Sequence, residues 1–372
     1  MTRSARILRA GFAAIIFIAA MEVFARLDDY LAFRAPILSV YSDANLYEND
    51  ELGKHGRPFA RYRKWRLNEF GYRGPRVEPD RINIVCFGAS ETFGLHESEN
   101  SEYPRQLERE LNARANGAVY QVVNVAYPGQ MLPTATERIP QIVERVHPRL
   151  ALIYPSPAFY IDMPPKRLKR YVKADPVPDF EWRMNERLQN VIKSLLPGTV
   201  QTWIREWQIS RSLGPKTAMD RLPEETITRF REDLTEMLTS LRSYGVDPVV
   251  LTHATVLGVT RSRSDRELLV AWRKFHPSLK EDGFPDAERR INQAMREVAE
   301  QQHVSLIDIA QQIPKDRVYF GDAAHFTDAG AALMASLLAD ALGPLLPQLS
   351  ASRQATGPVA AAANAHKGAV TP

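Results

Sequence analysis

The sequence predicts an α/β protein: a doubly wound, five-stranded parallel sheet flanked by helices in three layers, with a mostly helical insertion after the third strand. Short β-branched apolar runs alternate with amphipathic helical stretches from Ile82 to Leu342, and such alternation implies right-handed crossovers onto a parallel sheet. The first of these runs is apolar on nearly every residue rather than on every second one, so both of its faces are covered. Polar and glycine-rich turns follow the strands, at the edge where such sheets bind ligands.

The elements follow in order. Ile82 to Phe87, apolar except Asn83 and followed by Gly88, is the first strand. Tyr103 to Arg114 has helical spacing, Val119 to Val125 is the second strand, and Ala135 to Val146 is a helix closed by His147-Pro148. Leu150 to Tyr154 is the third strand, stopped by Pro155 and Pro157. Residues 158–221 break the rhythm and form the insertion, with Trp182, Trp203, Trp207 and the basic run Lys166 to Arg170. The tryptophans fit a core better than a sugar platform, and the basic run fits a solvated helix face better than a site for anionic lipid or acidic polysaccharide. Leu222 to Tyr244 is a long helix, Val246 to Thr252 the fourth strand, Ala287 to Gln302 a helix, Val304 to Ile307 the fifth strand and Asp328 to Leu342 the last helix.

The N-terminus carries an export signal. Arg3, Arg6 and Arg9 precede an apolar run from Ala10 to Met21, which Glu22 interrupts and Val23-Phe24-Ala25 extends. Cations before the run and acids after it place the N-terminus in the cytoplasm and the rest outside. Sixteen helical residues rise about 24 Å against a hydrocarbon core of about 30 Å, so an uncleaved anchor is favoured and a cleaved signal is its rival. The expected organisation is a signal anchor over residues 1–26, a lead-in over 27–80, the α/β domain over 81–346 and a disordered tail over 347–372. The composition, 44% hydrophobic and 25% charged over 372 residues, is globular. A net charge of +4 is too small to argue for nucleic acid, and none is expected as a partner. The single cysteine, Cys86, excludes an internal disulfide framework and a Cys-based zinc site.

Three segments carry chemistry. Gly88-Ala89-Ser90-Glu91-Thr92-Phe93-Gly94 follows the first strand, so Ser90 stands at a strand end and a helix start, where backbone N–H groups can hold an oxyanion. Alone it is better explained as a capped turn. Asp322 and His325 are three apart before the last helix, and the carboxylate there can fix the imidazole tautomer, leaving the second nitrogen for a serine. Gly129, after the second strand, lets backbone approach a substrate and can present an N–H. His253 ends the fourth strand; a cleft-lining and a buried hydrogen-bonded histidine both fit, the second better. His147, His276 and His303 show no metal-ligand spacing, and neither a phosphate loop nor a Gly-x-Ser-x-Gly elbow occurs.

In the order Ser90, Gly129, Asp322, His325 the chain resembles the SGNH hydrolases, also called the GDSL esterase and lipase family. The segment Asn68-x-x-Gly71-x-Arg73 is similar to the lead-in of exported, membrane-anchored bacterial members. The resemblance implies a serine esterase acting on an acyl ester of an envelope glycan or lipid, acetyl being one such group. Ser90 would be the nucleophile, His325 the base and Asp322 its orienting carboxylate, with the N–H groups of Ser90 and Gly129 at the oxyanion and no cofactor or metal. The domain would be extracytoplasmic, held to the membrane by its N-terminal helix. An O-acyltransferase with the same triad, or a weakly catalytic glycan-binding or assembly member, are the alternatives. Two positions depart from the family pattern. Ala89 replaces an Asp outside the triad, and the Asn that follows the third strand is absent from Tyr154 to Asp162. That Asn donates to the oxyanion, a contribution worth about 10²–10³ in rate, with Ser156 the nearest polar substitute.

Overall fold

The computed structural model describes residues 3–115, 119–161, 183, 195, 198–213, 217–258 and 263–347. Helix α1 (Arg3–Phe33) is 31 residues long, well beyond the apolar run. Its residues from Ser4 to Phe33 are long and apolar enough to cross a membrane. From Glu22 onward one face packs against protein: Arg26 pairs with Glu22 at 2.6 Å, Arg26 Nη1 donates to the Ile37 carbonyl, and the Arg183 N–H donates to Glu22 Oε2 at 2.8 Å.

Two antiparallel hairpins follow, β1 (Tyr47–Asp50) with β2 (Gly53–Gly56), and β3 (Arg61–Tyr62) with β4 (Trp65–Arg66). The stretch beyond them is shaped by Asn68, whose Oδ1 accepts the N–H groups of Phe70 and Tyr72 at 3.0 Å each. Gly71 (φ +79°) passes so close to Gly56 that a Cβ there would lie 1.9 Å from the Gly56 carbonyl oxygen. Arg73 then reaches the central sheet, its N–H donating to the Asn124 carbonyl at 3.1 Å.

The central sheet has five parallel strands: β5 (Ile82–Gly88), β6 (Tyr120–Asn124), β7 (Leu150–Tyr154), β8 (Asp247–Leu251) and β9 (Ser305–Ile307), in the spatial order β6-β5-β7-β8-β9. The chain leaves β5 toward one edge and returns past it to β7, so the topological switch point lies between β5 and β7. Alternate residues feed two cores. Val85, Phe87, Val123 and Ile153 face α7 (Glu224–Ser243) and α9 (Gly283–Gln301). Ile84, Cys86, Val122 and Leu152 face α3 (Tyr103–Arg114) and α11 (Asp328–Leu342). This is the expected fold, and the five strands match their sequence runs to within about two residues.

The helix expected from Ala135 to Val146 is two helices, α4 (Leu132–Glu137) and α5 (Ile139–Val146). Pro140 has no N–H to give back to the preceding turn, and the axis breaks at Arg138. The freed Arg138 head closes a two-pronged pair on Asp50, at 2.7 and 3.0 Å, that ties the first hairpin to the domain. Two helices were not expected, α8 (Arg263–Arg273) and α10 (Ile309–Gln312), whereas α2 (Ser90–Phe93) begins where a helix start was read at Ser90. In the insertion, α6 (Gly198–Leu213) leaves Trp203 65% and Trp207 50% exposed, so these two are not core residues. Its buried face is marked by Ile209 instead. Trp182, the run 166–170 and the tail beyond residue 347 lie outside the described residues.

Candidate active site

Strand β5 ends at Gly88, where the chain turns so tightly that a Cβ would lie 2.0 Å from Thr92 Oγ1. Ser90 opens α2, and Gly94 in the left-handed region (φ +88°) closes it. The turn is clamped from three sides. Asn124 Nδ2 donates to the Thr92 carbonyl at 2.8 Å, Thr92 Oγ1 meets the Tyr103 hydroxyl at 3.1 Å, and Arg73 donates to the carbonyls of Phe93 and Gly94. Arg73 is itself held by Glu102 at 3.0 Å, a buried ion pair whose angle falls short of a hydrogen bond. The segment that resembled an exported lead-in therefore braces the turn that presents Ser90.

Across the strand ends, the loop before α11 presents His325. Its Nε2 lies 2.8 Å from Ser90 Oγ, and its Nδ1 lies 2.7 Å from Asp322 Oδ2. Asp322 Oδ1 accepts the N–H groups of Ala324 and His325, which fixes the carboxylate plane. Ser90 and the Asp322–His325 pair, far apart in sequence, thus form one hydrogen-bonded chain. Burial pushes the Asp322 carboxyl up, but hydrogen bonds from His325 and His96 overcome this and hold it well below the usual carboxylate range. Burial pushes the His325 imidazole down, while the bond to Asp322 and the charges of Glu91 and Asp322 outweigh it and leave the ring more basic than usual.

His96 was not singled out from the sequence. Its Nε2 lies 3.1 Å from Asp322 Oδ2, and its ring meets His325 edge-on at 5.4 Å. Donor atoms of His96, Asp322 and His325 lie within 4.8 Å of one another, which is the one grouping among the described residues that can take a metal ion. Both imidazoles already bond the same Asp322 oxygen, at 2.7 Å from His325 and 3.1 Å from His96.

Gly129 has φ +87° and an open flank, and no hydrogen bond engages its N–H among the described residues. Next to it, the Gln130 side chain is buried with both amide atoms unpartnered. It lines a small pocket with Gly88, Met131, Pro155 and Ser156. Ser156 does not stand free as a substitute donor: its hydroxyl donates to Glu91 Oε1 at 2.7 Å.

Glu91, only 2% exposed, is the centre of a second polar group that the sequence did not reveal. Its Oε1 also faces His253 Nε2 at 3.3 Å, and His253 Nδ1 lies 2.7 Å from Glu288 Oε1. Asn292 secures the His253 backbone from both sides, accepting its N–H at 2.7 Å and donating to its carbonyl at 2.8 Å. Burial pushes Glu91 up, but His253, His325 and Ser156 hold it down to about 2. His253 is buried, as its position suggested, and its two carboxylate partners outweigh burial and raise it. The signals were Glu91 beside the candidate nucleophile and Glu288 with Asn292 at i, i+4 on one helix, but nothing local joins them to His253.

No family model and no curated protein matches the chain. Among solved structures it is similar to a lipase/acylhydrolase from Enterococcus faecalis, at 15% identity over 70% of this chain and 94% of that one, TM-score 0.40. It is similar to a GDSL-like lipase from Bacteroides thetaiotaomicron at 10% identity, covering 71% and 89%, TM-score 0.39. An acetyl xylan esterase shows 13% identity, 70% and 100% coverage and TM-score 0.41. These likenesses are weak, and the chemistry of this site follows from its own distances.

Proposed function

We propose that the chain is a serine esterase in which Ser90 attacks an acyl ester, His325 carries the proton and Asp322 orients His325. The observation that carries this reading is the unbroken chain Asp322 Oδ2–His325 Nδ1, His325 Nε2–Ser90 Oγ, at 2.7 and 2.8 Å. A serine hydroxyl becomes a useful nucleophile only when a base removes its proton. With Nδ1–H donated to Asp322, Nε2 is the acceptor that faces Ser90. As the Oγ–carbon bond forms, the hydroxyl proton passes to Nε2, and the resulting imidazolium gives it to the departing alcohol. Water then enters, loses a proton to the same nitrogen and releases the acid, and the proton returns to Ser90. The N–H groups of Ser90 and Gly129 are suited to the oxyanion, and the unpartnered Gln130 amide is the side-chain donor nearest to Gly129 in sequence.

The substrate in this reading is an acyl ester on an envelope glycan or lipid, acetyl among the candidates. The export-type N-terminus supports that setting, with the domain outside the cytoplasm and α1 as its tether. The test is turnover of a short-chain nitrophenyl ester by the purified domain, with Ser90→Ala as the blank. Equal hydrolysis by both proteins overturns the reading.

A further inference from the structure

Ser90 has one hydroxyl proton and two acceptors. His325 Nε2 lies at 2.8 Å, and Glu91 Oε2 lies at 3.3 Å on the other side. A buried carboxylate at this place is costly unless its charge is answered. Here it is answered from behind, by His253. Both ring nitrogens of His253 face carboxylate oxygens, Glu91 at 3.3 Å and Glu288 at 2.7 Å, and ionised carboxylates only accept. The ring therefore carries both protons, and Glu288–His253–Glu91 is a buried chain of alternating charge ending against the nucleophile.

Two arrangements of protons are possible at Ser90. With His325 neutral, the hydroxyl donates to Nε2, the shorter contact, and the site is ready. With His325 doubly protonated, Nε2–H donates to Ser90 Oγ, and the hydroxyl turns to Glu91. Only the second arrangement uses Glu91 as an acceptor of that proton. We propose that Glu91, backed by His253 and Glu288, is a positioning residue that acts through Ser90 and His325 and sets the pH at which His325 becomes free to take the nucleophile's proton. This rests on the esterase reading for its role in turnover, but its electrostatic part stands on the geometry alone.

The charged and titratable groups around His325 are Asp322 on its own loop, His96 and Glu97 from the loop after α2, and Glu91 from α2. Around Glu91 they are His253, His325 and the two buried tyrosines Tyr103 and Tyr154. Removing the charge of Glu91 leaves Asp322, His96 and Glu97 in place. The sign of the effect is therefore that of losing one nearby anion: the imidazolium is less favoured and His325 titrates at lower pH.

The experiment is the imidazole titration of His325 and His253 by NMR on ¹⁵N-histidine-labelled protein, with the pH profile of ester kcat/KM alongside. In wild type, His253 stays doubly protonated from pH 5.5 to 8.5. In Glu91→Gln the His325 midpoint falls by about one pH unit or more, the acid limb of the rate profile moves down with it, and Glu91→Asp restores both toward wild type. A neutral His253 at pH 7 in the wild-type protein overturns the proposal without any variant having to fold. An unchanged His325 midpoint in folded Glu91→Gln overturns it as well. Absence of ester turnover with the NMR results as stated counts against the esterase reading and leaves the charge chain standing.

Discussion

At the scale of single residues, the site separates two carboxyls by environment. Asp322 is ionised because two imidazoles bond it, whereas Glu97 is buried beside His96 with one oxygen unpartnered, and burial pushes its carboxyl up to about 8. A carboxyl raised in the folded state binds its proton more tightly there than in the unfolded chain. Its contribution is complete below the unfolded value of 4.5 and is lost as pH rises toward 8. Glu97→Gln removes that loss. The difference in melting temperature, variant minus wild type, is therefore expected to grow between pH 5 and pH 8.5, as read by differential scanning fluorimetry. For the proposed triad, His325→Ala is expected to lower kcat for a nitrophenyl ester by about 10⁴ or more. Asp322→Ala costs less, and the double variant costs no more than His325→Ala, because residues that act as a unit do not add. Steady-state kinetics of the three proteins decides this. Ser90, Asp322 and His325 were legible in the sequence because each follows a strand or precedes a helix. Glu91 was in view without a role and Ser156 only as a substitute oxyanion donor, since the bond between them spans 65 positions.

At the scale of elements, the turn Gly88 to Gly94 depends on a segment that precedes β5. Arg73 reaches over to the carbonyls of Phe93 and Gly94 and to Glu102, with both charged side chains 3% exposed. Arg73→Ala leaves Glu102 buried without its partner, a change worth about 3–5 kcal/mol of stability. Chemical denaturation is expected to show it, together with weaker ester turnover by the folded fraction. Arg73→Lys restores charge but not the fork that spans two carbonyls and a carboxylate, and it recovers only part of the loss. Strand positions were readable because parallel strands buried on both faces leave continuous apolar runs. The break at Arg138 was missed although Pro140 announces it, because hydrophobic spacing continues across the proline. Trp203 and Trp207 were misplaced for a related reason: aromatic residues are weighted toward the core, and nothing in the spacing of α6 says which face is covered.

At the scale of the whole molecule, α1 carries more than a hydrophobic span. Glu22 and Arg26 pair with each other and reach Arg183 and the Ile37 carbonyl, while Arg183 Nη2 also donates to the Ser39 carbonyl at 2.9 Å. Cleavage after Ala25 would discard Glu22 and these contacts, so the chain is expected to keep its N-terminus. Fractionation with intact-mass analysis checks this: the full chain stays with membranes through an alkaline wash at its full mass, and a chain lacking residues 2–21 does not. A mature mass beginning near Arg26 contradicts the tether. The span appeared too short in sequence because its apolar run was ended at Ala25, before Arg26, whereas the helix continues to Phe33 by turning its later polar residues onto the protein.

The central claim is that Ser90 is an activated nucleophile. A fluorophosphonate reacts with a serine whose proton a neighbouring base removes, and it needs no knowledge of the natural acyl group or alcohol. Incubation of the wild-type protein with the probe, followed by peptide mass spectrometry, is expected to place one adduct on the peptide containing Ser90. Ser90→Ala and His325→Ala are expected to show none, with their folds verified by circular dichroism. Wild-type protein left unlabelled under conditions that label a known serine esterase, or labelled equally in Ser90→Ala, contradicts the account.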